Sequence, residues 1–304
     1  MTLRRPGVRT AQDRGAALIL VIWSIGLMAV IAALIARDSH LDALEGNRLR
    51  DAVSGQMLVE SGQRIALARL SQPAIGNSIG FPIVCDVEGG RLLIDARPIT
   101  ALIDINAAQE DLLAALFVAL GARGPDAASF AARIADYRDG DTTIRPGGAE
   151  YPDYARAGLS HGPANRPFTR TGELSEVLGL PPELVAAALP HVTAHSHSVS
   201  VNLLFASDPV LAALQSFGSG ASALIEDNVW AGGGDGTTAP FAAEPVIVEV
   251  IAQTRSGFLT GQTATYGPQE RTLSGNRRLI EERAAGPDPV LASGVNLPAS
   301  GPCY

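Results

Sequence analysis

The sequence predicts an α+β fold in which one long N-terminal helix packs on a small antiparallel sheet, with a large all-α domain inserted between the strands. Three observations support this class. A charge-free apolar run near the start continues into a segment with helical periodicity, short β-branched stretches form two groups far apart, and the residues between those groups are rich in alanine and leucine. Strands distant in sequence must then complete one sheet.

The long helix is predicted over residues 16–70, and its first part, residues 16–36, contains no charged residue. A helix of that length rises about 30 Å, which matches the hydrocarbon core of a bilayer. Residues 1–15 are basic, so the positive-inside rule leaves the start of the chain in the cytoplasm and exports the rest. Beyond Arg37, apolar residues recur every three to five positions, which favours an amphipathic continuation that packs on the following domain.

The sheet is predicted from two separated parts of the chain. Residues 71–100 begin with a Pro- and Gly-rich loop and then give two short apolar strands, at 81–87 and 91–97, around a Gly-Gly turn. Residues 221–284 begin with a linker, whose Gly-rich run lacks the Lys-Ser/Thr of a phosphate-binding loop, and supply the remaining strands at 245–254, 261–266 and 278–283. Residues 285–304 form a Pro- and Gly-rich tail.

Residues 101–220 are predicted to form the inserted helical domain. Helices are expected at 109–120, 127–138, 171–178 and 182–189, the last of which is opened by a proline. A weak repeat places Ile105-Asn106 before one leucine-rich helix and Val201-Asn202 before another. Asparagine is a common helix N-cap, so both Asn106 and Asn202 are predicted to cap the helix that follows.

The composition argues against nucleic-acid binding. The formal net charge is −8, and every basic residue other than histidine is arginine. An acidic chain lacks the basic patches from which sequence-independent affinity for phosphate arises. Residues 177–183 resemble the turn of a helix-hairpin-helix module, but they offer prolines and an acidic residue where phosphate contacts need amides and basic groups. We therefore expect no nucleic acid among the partners.

Two cysteines occur in the chain, Cys85 and Cys303. Outside the cytoplasm they can form one disulfide, which would close a very long loop. The alternative is that Cys85 is a small core residue of an apolar strand and that Cys303 belongs to a frayed end. The sequence leaves both readings open.

An acidic loop gives the strongest candidate site. Five carboxylates cluster between positions 136 and 153, with glycines that allow sharp turns; the residues are Asp136, Asp139, Asp141, Glu150 and Asp153. Hard oxygen ligands on a flexible loop suit Ca²⁺, with Asp139, Asp141 and Glu150 as the preferred ligands. The spacing does not match an EF-hand. The alternative is a solvated turn whose charge is partly neutralised by Arg138 and Arg145.

No catalytic residue is predicted. Gly158 to Gly162 matches the Gly-x-Ser-x-Gly pattern around Ser160, but neither a strand before it nor a helix after it is expected, as a nucleophile elbow requires. His191, His195 and His197 are close enough in sequence to suggest zinc, yet their polar neighbours favour a solvated loop. The sequence therefore predicts a protein that is not an enzyme and that binds no organic cofactor.

The junction Arg14-Gly15, followed at once by the apolar run, resembles the processing site of type IV pilins and type II secretion pseudopilins. The resemblance implies that a prepilin peptidase removes residues 1–15, that Ala16 becomes a methylated N-terminus, and that the span stays on the mature protein. Most members carry a glutamate five residues after the cut, where this chain has Leu20. Its absence is typical of the K-type minor pseudopilins of the GspK family.

The inserted block resembles the same GspK family. Its motifs here are Asp104-Ile105-Asn106, the acidic turn at 136–141, Gly148-Ala149-Glu150 with Tyr154, the run Gly162 to Phe168, and Glu173-Leu174. The resemblance implies a pilin-type sheet carrying a SAM-like α-domain, and structural calcium in that domain. Ala16 departs from the family pattern, since most pilins have phenylalanine there.

The function implied by this resemblance is that of a minor pseudopilin of the type II secretion system. It would cap the tip of the periplasmic pseudopilus and help to start its assembly, so that folded proteins cross the outer membrane. Its partners would be the I- and J-type minor pseudopilins, the major pseudopilin and prepilin peptidase, and it would be a single-pass inner-membrane protein with a periplasmic C-terminal domain. The alternative is an anchored periplasmic ectodomain, an adhesin or hydrolase, unrelated to secretion.

Overall fold

The computed structural model describes residues 11–71, 81–216, 244–269 and 277–284, together with Gly301 and Cys303. The chain divides into two compact units, Met1–Ser54 and Gly55–Tyr304. The sheet and the helical residues between its strands therefore belong to one unit. The finer boundaries drawn from the sequence, at residues 100, 220 and 284, stay predictions. The loop at 72–80, the Gly-rich run at 232–236 and most of the tail lie outside the described residues.

The helices and strands follow each other in an α+β order. The helices are α1 (Ala11–Leu70), α2 (Glu110–Ala119), α3 (Gly124–Arg138), α4 (Tyr151–Arg156), α5 (Pro182–Ala188) and α6 (Asp208–Ser216). The strands are β1 (Ile83–Val87), β2 (Gly90–Pro98), β3 (Ile103–Asp104), β4 (Val192–Thr193), β5 (Val246–Thr254), β6 (Leu259–Gln269) and β7 (Arg277–Ala284).

Helix α1 begins before the predicted start of the long helix. It runs through the predicted cleavage point at Gly15, while the first ten residues lie outside the described part. Ser24 returns its hydroxyl to the carbonyl of Leu20 at 2.8 Å, as a serine in an apolar helix does. Among the described residues we find no helix that is both long enough and apolar enough to cross a membrane. The span predicted over residues 16–36 is therefore not confirmed.

The last turns of α1 pack on the sheet. Leu58, Val59 and Ala66 are buried in one cluster with the inner face of β2 and β5. Gly62 permits this close approach, because a Cβ there would lie 2.5 Å from Cγ1 of Val250 on β5. The amphipathic character predicted for this part of the helix is thus what places it against the sheet.

The sheet has five strands in the order β1-β2-β5-β6-β7, and every pair in it is antiparallel. Gly89 has a φ of 103° and closes the β1–β2 hairpin, as the Gly-Gly turn predicts. Strand β5 is buried along most of its length because it lies at the centre of the sheet. The predicted mixture of helices and an antiparallel sheet completed by distant strands is confirmed.

The chain leaves the sheet after β2 and returns to it at β5. The helices between these strands pack around a second cluster that includes Leu116, Phe117 and Tyr137. Residues 171–178 were expected to be a helix, but Thr171–Glu176 form a 3-10 helix. Its first residue is tied to β7 by hydrogen bonds, which leaves only a short turn before Pro181.

Candidate functional site

The acidic loop joins α3 to α4 and is organised around Asp136, whose side chain is fully buried. Its Oδ2 accepts hydrogen bonds from the backbone N–H of Ala149 at 2.9 Å and of Arg145 at 3.3 Å. Gly148 lies directly against this carboxylate, and a Cβ at that position would collide with it. The glycine in the Gly-Ala-Glu motif is therefore required for the loop to close over Asp136.

Arg145 is the counter-ion of the loop. Its guanidinium contacts Oε1 of Glu110 at 2.7 Å and Oδ1 of Asp136 at 2.7 Å, and it also pairs with Oδ2 of Asp139. The hydrogen bonds that Arg145 donates to Asp136 and Asp139 raise the pKa of Arg145 above its ordinary value. Arg138 does not share this role, because it donates to the backbone carbonyls of Ile105 and Ala108 instead.

Glu150 lies beside this cluster, but its carboxylate has no counter-ion among the described residues. The residue is 2% exposed, and neither of its carboxylate oxygens has a hydrogen-bond partner within the part of the chain that the structure describes. Burial, reinforced by the charges of Asp136 and Asp139, raises the pKa of Glu150. Oδ1 of Asp139 is likewise buried without a partner. These oxygens are positioned to accept a further positive charge or donor.

The other two predicted ligands are used locally. Asp141 is exposed, and its Oδ1 accepts the N–H of Thr143 at 2.7 Å, a bond that lowers the pKa of Asp141. Asp153 accepts the N–H of Glu150 at 3.0 Å at the start of α4 and pairs with Arg156 at 2.9 Å. The structure therefore brings together Asp136, Asp139 and Glu150, and it leaves Asp141 and Asp153 in local turns.

Glu110 was missed by the sequence analysis. It lies in the first turn of α2, far from the loop in sequence, and nothing in its local pattern links it to Arg145. Within the described residues we find no group of three or more His, Cys, Asp or Glu side chains arranged to hold a metal ion. The calcium site predicted from the sequence stays a prediction.

Asp104 joins its own turn to the distant loop at residues 196–197 and is 2% exposed. Its Oδ1 accepts the N–H of Asn106 at 2.7 Å and of Ala107 at 3.3 Å. Its Oδ2 accepts a hydrogen bond from the hydroxyl of Ser196 at 2.9 Å and one from the N–H of His197 at 2.7 Å. Both oxygens of Asp104 therefore have hydrogen-bond donors, and these donors are backbone N–H groups and a serine hydroxyl. Asp104 lies on β3, which pairs in parallel with β4.

Asn106 does not cap a helix, so that prediction is wrong. Residue 109 is the N-cap of α2, and the amide of Asn106 instead donates to the carbonyls of Phe168 at 3.0 Å and Ala194 at 3.1 Å. Its Oδ1 accepts the N–H of Phe168 at 2.8 Å. Through Asp104 and Asn106, the Asp-Ile-Asn motif is therefore hydrogen-bonded to distant loops of the helical part.

The three histidines bind different partners, and the expectation of a solvated loop fails for two of them. Nε2 of His195 lies 3.0 Å from Oε2 of Glu281 on β7, and Oε1 of Glu281 accepts Oγ1 of Thr171 at 2.7 Å. Burial alone would raise the pKa of Glu281, but the bonds from His195 and Thr171 hold it below its ordinary value. This buried network joins the helical part to the edge of the sheet.

His191 is half-buried, and its Nδ1 lies 2.8 Å from Oγ of Ser207. Burial, with the nearby charges of Arg97 and Arg283, lowers the pKa of His191 to about 4. His197 is exposed and contributes its backbone N–H to Asp104. The histidines are thus structural groups with separate partners.

Ser160 lies in an exposed turn after α4. The described residues around it form neither a strand before it nor a helix directly after it. A nucleophile elbow requires both elements to present its serine. The structure therefore agrees with the sequence-based rejection of Ser160 as a nucleophile.

Cys85 on β1 and Cys303 form a disulfide, with Cα atoms 4.9 Å apart. Cys85 is 1% exposed and Cys303 is 9% exposed, and both belong to the cluster beneath the sheet. Of the two alternatives that the sequence leaves open, the structure shows the disulfide, and Cys303 is not part of a frayed end.

A small antiparallel sheet packs on the end of a long N-terminal helix, and a helical domain is inserted between its strands. This α+β arrangement matches the fold that the resemblance to pseudopilins implies. The profile of the family described as Type II secretion system (T2SS), protein K matches residues 93–197. This match covers the end of β2, the acidic loop and the residues that hydrogen-bond to Asp104. Over these residues, which are 105 of the chain's 304, the sequence is similar to the type II secretion protein K family.

Two curated relatives extend the similarity beyond that region. The type II secretion system protein K of Pectobacterium carotovorum subsp. carotovorum is 26% identical over 232 residues, covering 67% of this chain and 71% of the relative. The putative type II secretion system protein K of Escherichia coli strain K12 is 26% identical over 229 residues, covering 67% of this chain and 70% of the relative.

A solved structure shares the fold. A chain in the GspK–GspI–GspJ complex from the type 2 secretion system of enterotoxigenic Escherichia coli superposes with a TM-score of 0.55 at 14% sequence identity. The match covers 79% of this chain and 99% of that chain. The helical insertion and the sheet are therefore shared with that chain as an overall fold.

Proposed function

We propose that this chain is a minor pseudopilin that caps the tip of the type II secretion pseudopilus. The observation that carries the proposal is the helical part inserted between β2 and β5, most of whose helices lie within the region, residues 93–197, that the protein K family model matches. A pilin-like subunit that adds only to a rod needs no such domain. The insertion is large enough to obstruct any subunit added beyond it, which suits a terminal position.

The proposal includes processing and anchoring at the N-terminal end. Prepilin peptidase cleaves after Gly15, Ala16 is methylated, and residues 16–36 hold the protein in the inner membrane with the remaining domain in the periplasm. In support, the described apolar side chains between Leu18 and Leu34 are exposed along α1, as a lipid-facing helix requires. An apolar surface of this kind is covered by lipid or by neighbouring helices.

Leu20 supports a terminal position in the filament. The glutamate that most pilins carry there pairs with the terminal amine of a neighbouring subunit, and a buried carboxylate without such a partner is unfavourable. A subunit with no neighbour on that side is better served by leucine. The I- and J-type minor pseudopilins are the proposed partners in the tip complex, and the major pseudopilin follows below them.

The tip assignment is tested by locating the protein on assembled filaments. Pseudopili purified from cells that express an epitope-tagged full-length chain are labelled with gold and imaged by electron microscopy. A single label at one end of each filament is expected. Labels distributed along the filaments would contradict the capping role, because the inserted domain would then have to fit between stacked subunits.

Calcium binding by the acidic loop is a second part of the proposal. The buried, unpartnered oxygens of Glu150 and Asp139 fit a hard divalent cation, since they are oxygen ligands without a donor. Arg145 already provides positive charge to Asp136 and Asp139, so calcium must displace or share this guanidinium. The ion would neutralise the loop and stabilise its packing on α3, while secretion itself would need no chemistry at this site.

A further inference from the structure

We propose that Glu281 is the releasable fastening of the helical part to the sheet, and that without it the helical part turns about a separate apolar joint beside β5. The two joints differ in chemistry and lie on different strands. Both belong to one compact unit of the chain. The inference concerns how the parts of this unit are connected, and it does not depend on the role in secretion.

The apolar joint lies where the chain leaves β2. Ile99, Leu102 and Ile247 form a small buried cluster of their own, and each is at most 2% exposed. Ile247 belongs to β5, and the N–H of Ile99 donates to the carbonyl oxygen of Pro245 at 3.0 Å. Because Ile99 directly follows Pro98 of β2, this joint includes a covalent connection between the two parts.

The polar joint lies on β7 and consists of Glu281 and Arg283 from the sheet with Thr171 and His195 from the helical part. Oε1 of Glu281 accepts hydrogen bonds from the N–H of Thr171 at 3.1 Å and from its hydroxyl at 2.7 Å. Oε2 of Glu281 lies 3.0 Å from Nε2 of His195. Nη1 of Arg283 donates to Oγ1 of Thr171 at 2.9 Å. A single carboxylate therefore makes most of the contacts of this joint.

The polar joint can open without exposing an apolar core. None of the buried apolar clusters among the described residues joins β7 to the helical part. Burial of apolar area always favours the closed state, whereas a hydrogen bond given up to water is largely replaced by one to the solvent. The apolar joint is therefore the persistent connection, and the joint at Glu281 is the releasable one.

The spacing of the two joints determines what Glu281 controls. Ile247 pairs with Thr265 on β6, and Thr265 pairs with Glu281 on β7. Two strand spacings place Glu281 roughly 10 Å from the apolar joint. On the other side, Arg97 of β2 pairs with Ile247 and donates to the carbonyl oxygen of Pro190 at 3.4 Å, which is the longest of these bonds. A fastening two strands from the apolar joint resists rotation more effectively than one beside it.

Spin-label distances in the full-length protein in detergent test this role. Glu88→Cys in the β1–β2 turn and Val118→Cys on α2 provide exposed label sites on the sheet and the helical part. The native cysteines stay in their disulfide. With Glu281 intact, we expect one narrow distance distribution. Glu281→Ala should widen that distribution about twofold, because the helical part then samples a range of hinge angles.

Glu282→Ala is the matched control. Glu282 is an exposed carboxylate on the same strand, and adjacent strand residues point to opposite faces of a sheet. This variant should keep the narrow distribution. Amides of α2 and β5 should exchange at wild-type rates in both variants, since each part stays folded, so that the wider distribution reports the joint rather than unfolding.

A distribution as narrow in Glu281→Ala as in Glu282→Ala would overturn the proposal, and so would equal broadening in both. If Glu281→Ala fails to fold, Thr171→Val decides the matter. It removes the hydroxyl that contacts Glu281 and Arg283 but keeps the backbone N–H and the side-chain shape. A wider distribution in Thr171→Val supports the releasable joint, and an unchanged one contradicts it.

Discussion

Asp104 and Glu150 are both buried carboxylates of the helical part, and the fold satisfies them in opposite ways. Asp104 accepts four hydrogen bonds, two from the turn that follows it and two from the distant loop at residues 196–197. Glu150 accepts none among the described residues and lies beside two further carboxylates that share one arginine. The difference separates an acidic residue that fixes the fold from one that is positioned for an additional charge, although both lie in the region that the protein K family model matches.

The largest effect is expected at Asp104. Asp104→Ala would remove a buried carboxylate that accepts four hydrogen bonds, including those from the N–H groups of Asn106 and His197, so the free energy of unfolding should fall by about 3 kcal/mol. Asp141→Ala is the matched control, because Asp141 is exposed and bonds only to its own turn, and it should change stability little. Urea denaturation measures both. Equal losses in the two variants would contradict the structural role of Asp104.

The next effect is expected at Arg145. Arg145→Ala leaves Glu110, Asp136 and Asp139 without their cation, so the calcium-free protein should lose about 2 kcal/mol, allowing for the partial exposure of the arginine. Added Ca²⁺ should raise the melting temperature of this variant more than that of the wild type, because the ion no longer competes with the guanidinium.

The matched control for Arg145 is Arg123→Ala, which breaks an exposed pair with Asp126. This variant should show stability close to that of the wild type and the same response to Ca²⁺. A calcium response that is equal in the Arg145→Ala and Arg123→Ala variants would contradict the view that Arg145 and calcium serve the same carboxylates.

Glu150 should respond with the opposite sign. Glu150→Gln removes a buried charge that has no partner, so the calcium-free protein should gain about 1 kcal/mol and lose its response to Ca²⁺. Because the folded-state pKa of Glu150 is raised, the wild type binds this proton more readily when folded, and the advantage of the variant should shrink as pH falls towards the ordinary glutamate pKa. A destabilised variant at neutral pH would show that Glu150 has a partner in the folded protein.

His191 lies between these two cases, since it is desolvated like Glu150 but has a hydrogen-bond partner in Ser207. Its pKa is lowered to about 4, so the unfolded chain binds the proton first as pH falls. The stability due to neutral His191 is complete above about pH 6.5 and is lost between there and pH 4. Thermal melts should show a weaker decline over that range in His191→Gln than in the exposed-site control His161→Gln.

The broad architecture was accessible from the sequence because its signals are local. The β-branched run of β5, the Gly-Gly turn before β2 and the leucine-rich pattern of α2 each identify an element without tertiary information. The prediction that distant strands complete one sheet followed from the inserted block, whereas the strand order came only from the structure. The family resemblance was likewise carried by short motifs.

The site was only partly accessible, because its contacts are long-range. The sequence predicted five carboxylates as one group and preferred Asp141 as a ligand, whereas the structure leaves Asp141 in a local turn. The link from Arg145 to Glu110 joins elements with no shared local pattern. Asn106 has the sequence context of a helix cap, yet tertiary partners on two other loops decide its hydrogen bonds. The folded structure is needed to show which distant residues contact Arg145 and Asn106.

The measurement that tests the pseudopilin assignment most directly is the intact mass and N-terminal residue of the protein from membranes with and without prepilin peptidase. The account predicts a mature chain that begins at Ala16 only when the peptidase is present. A chain that retains residues 1–15 in both membranes would contradict it and would favour an uncleaved anchor.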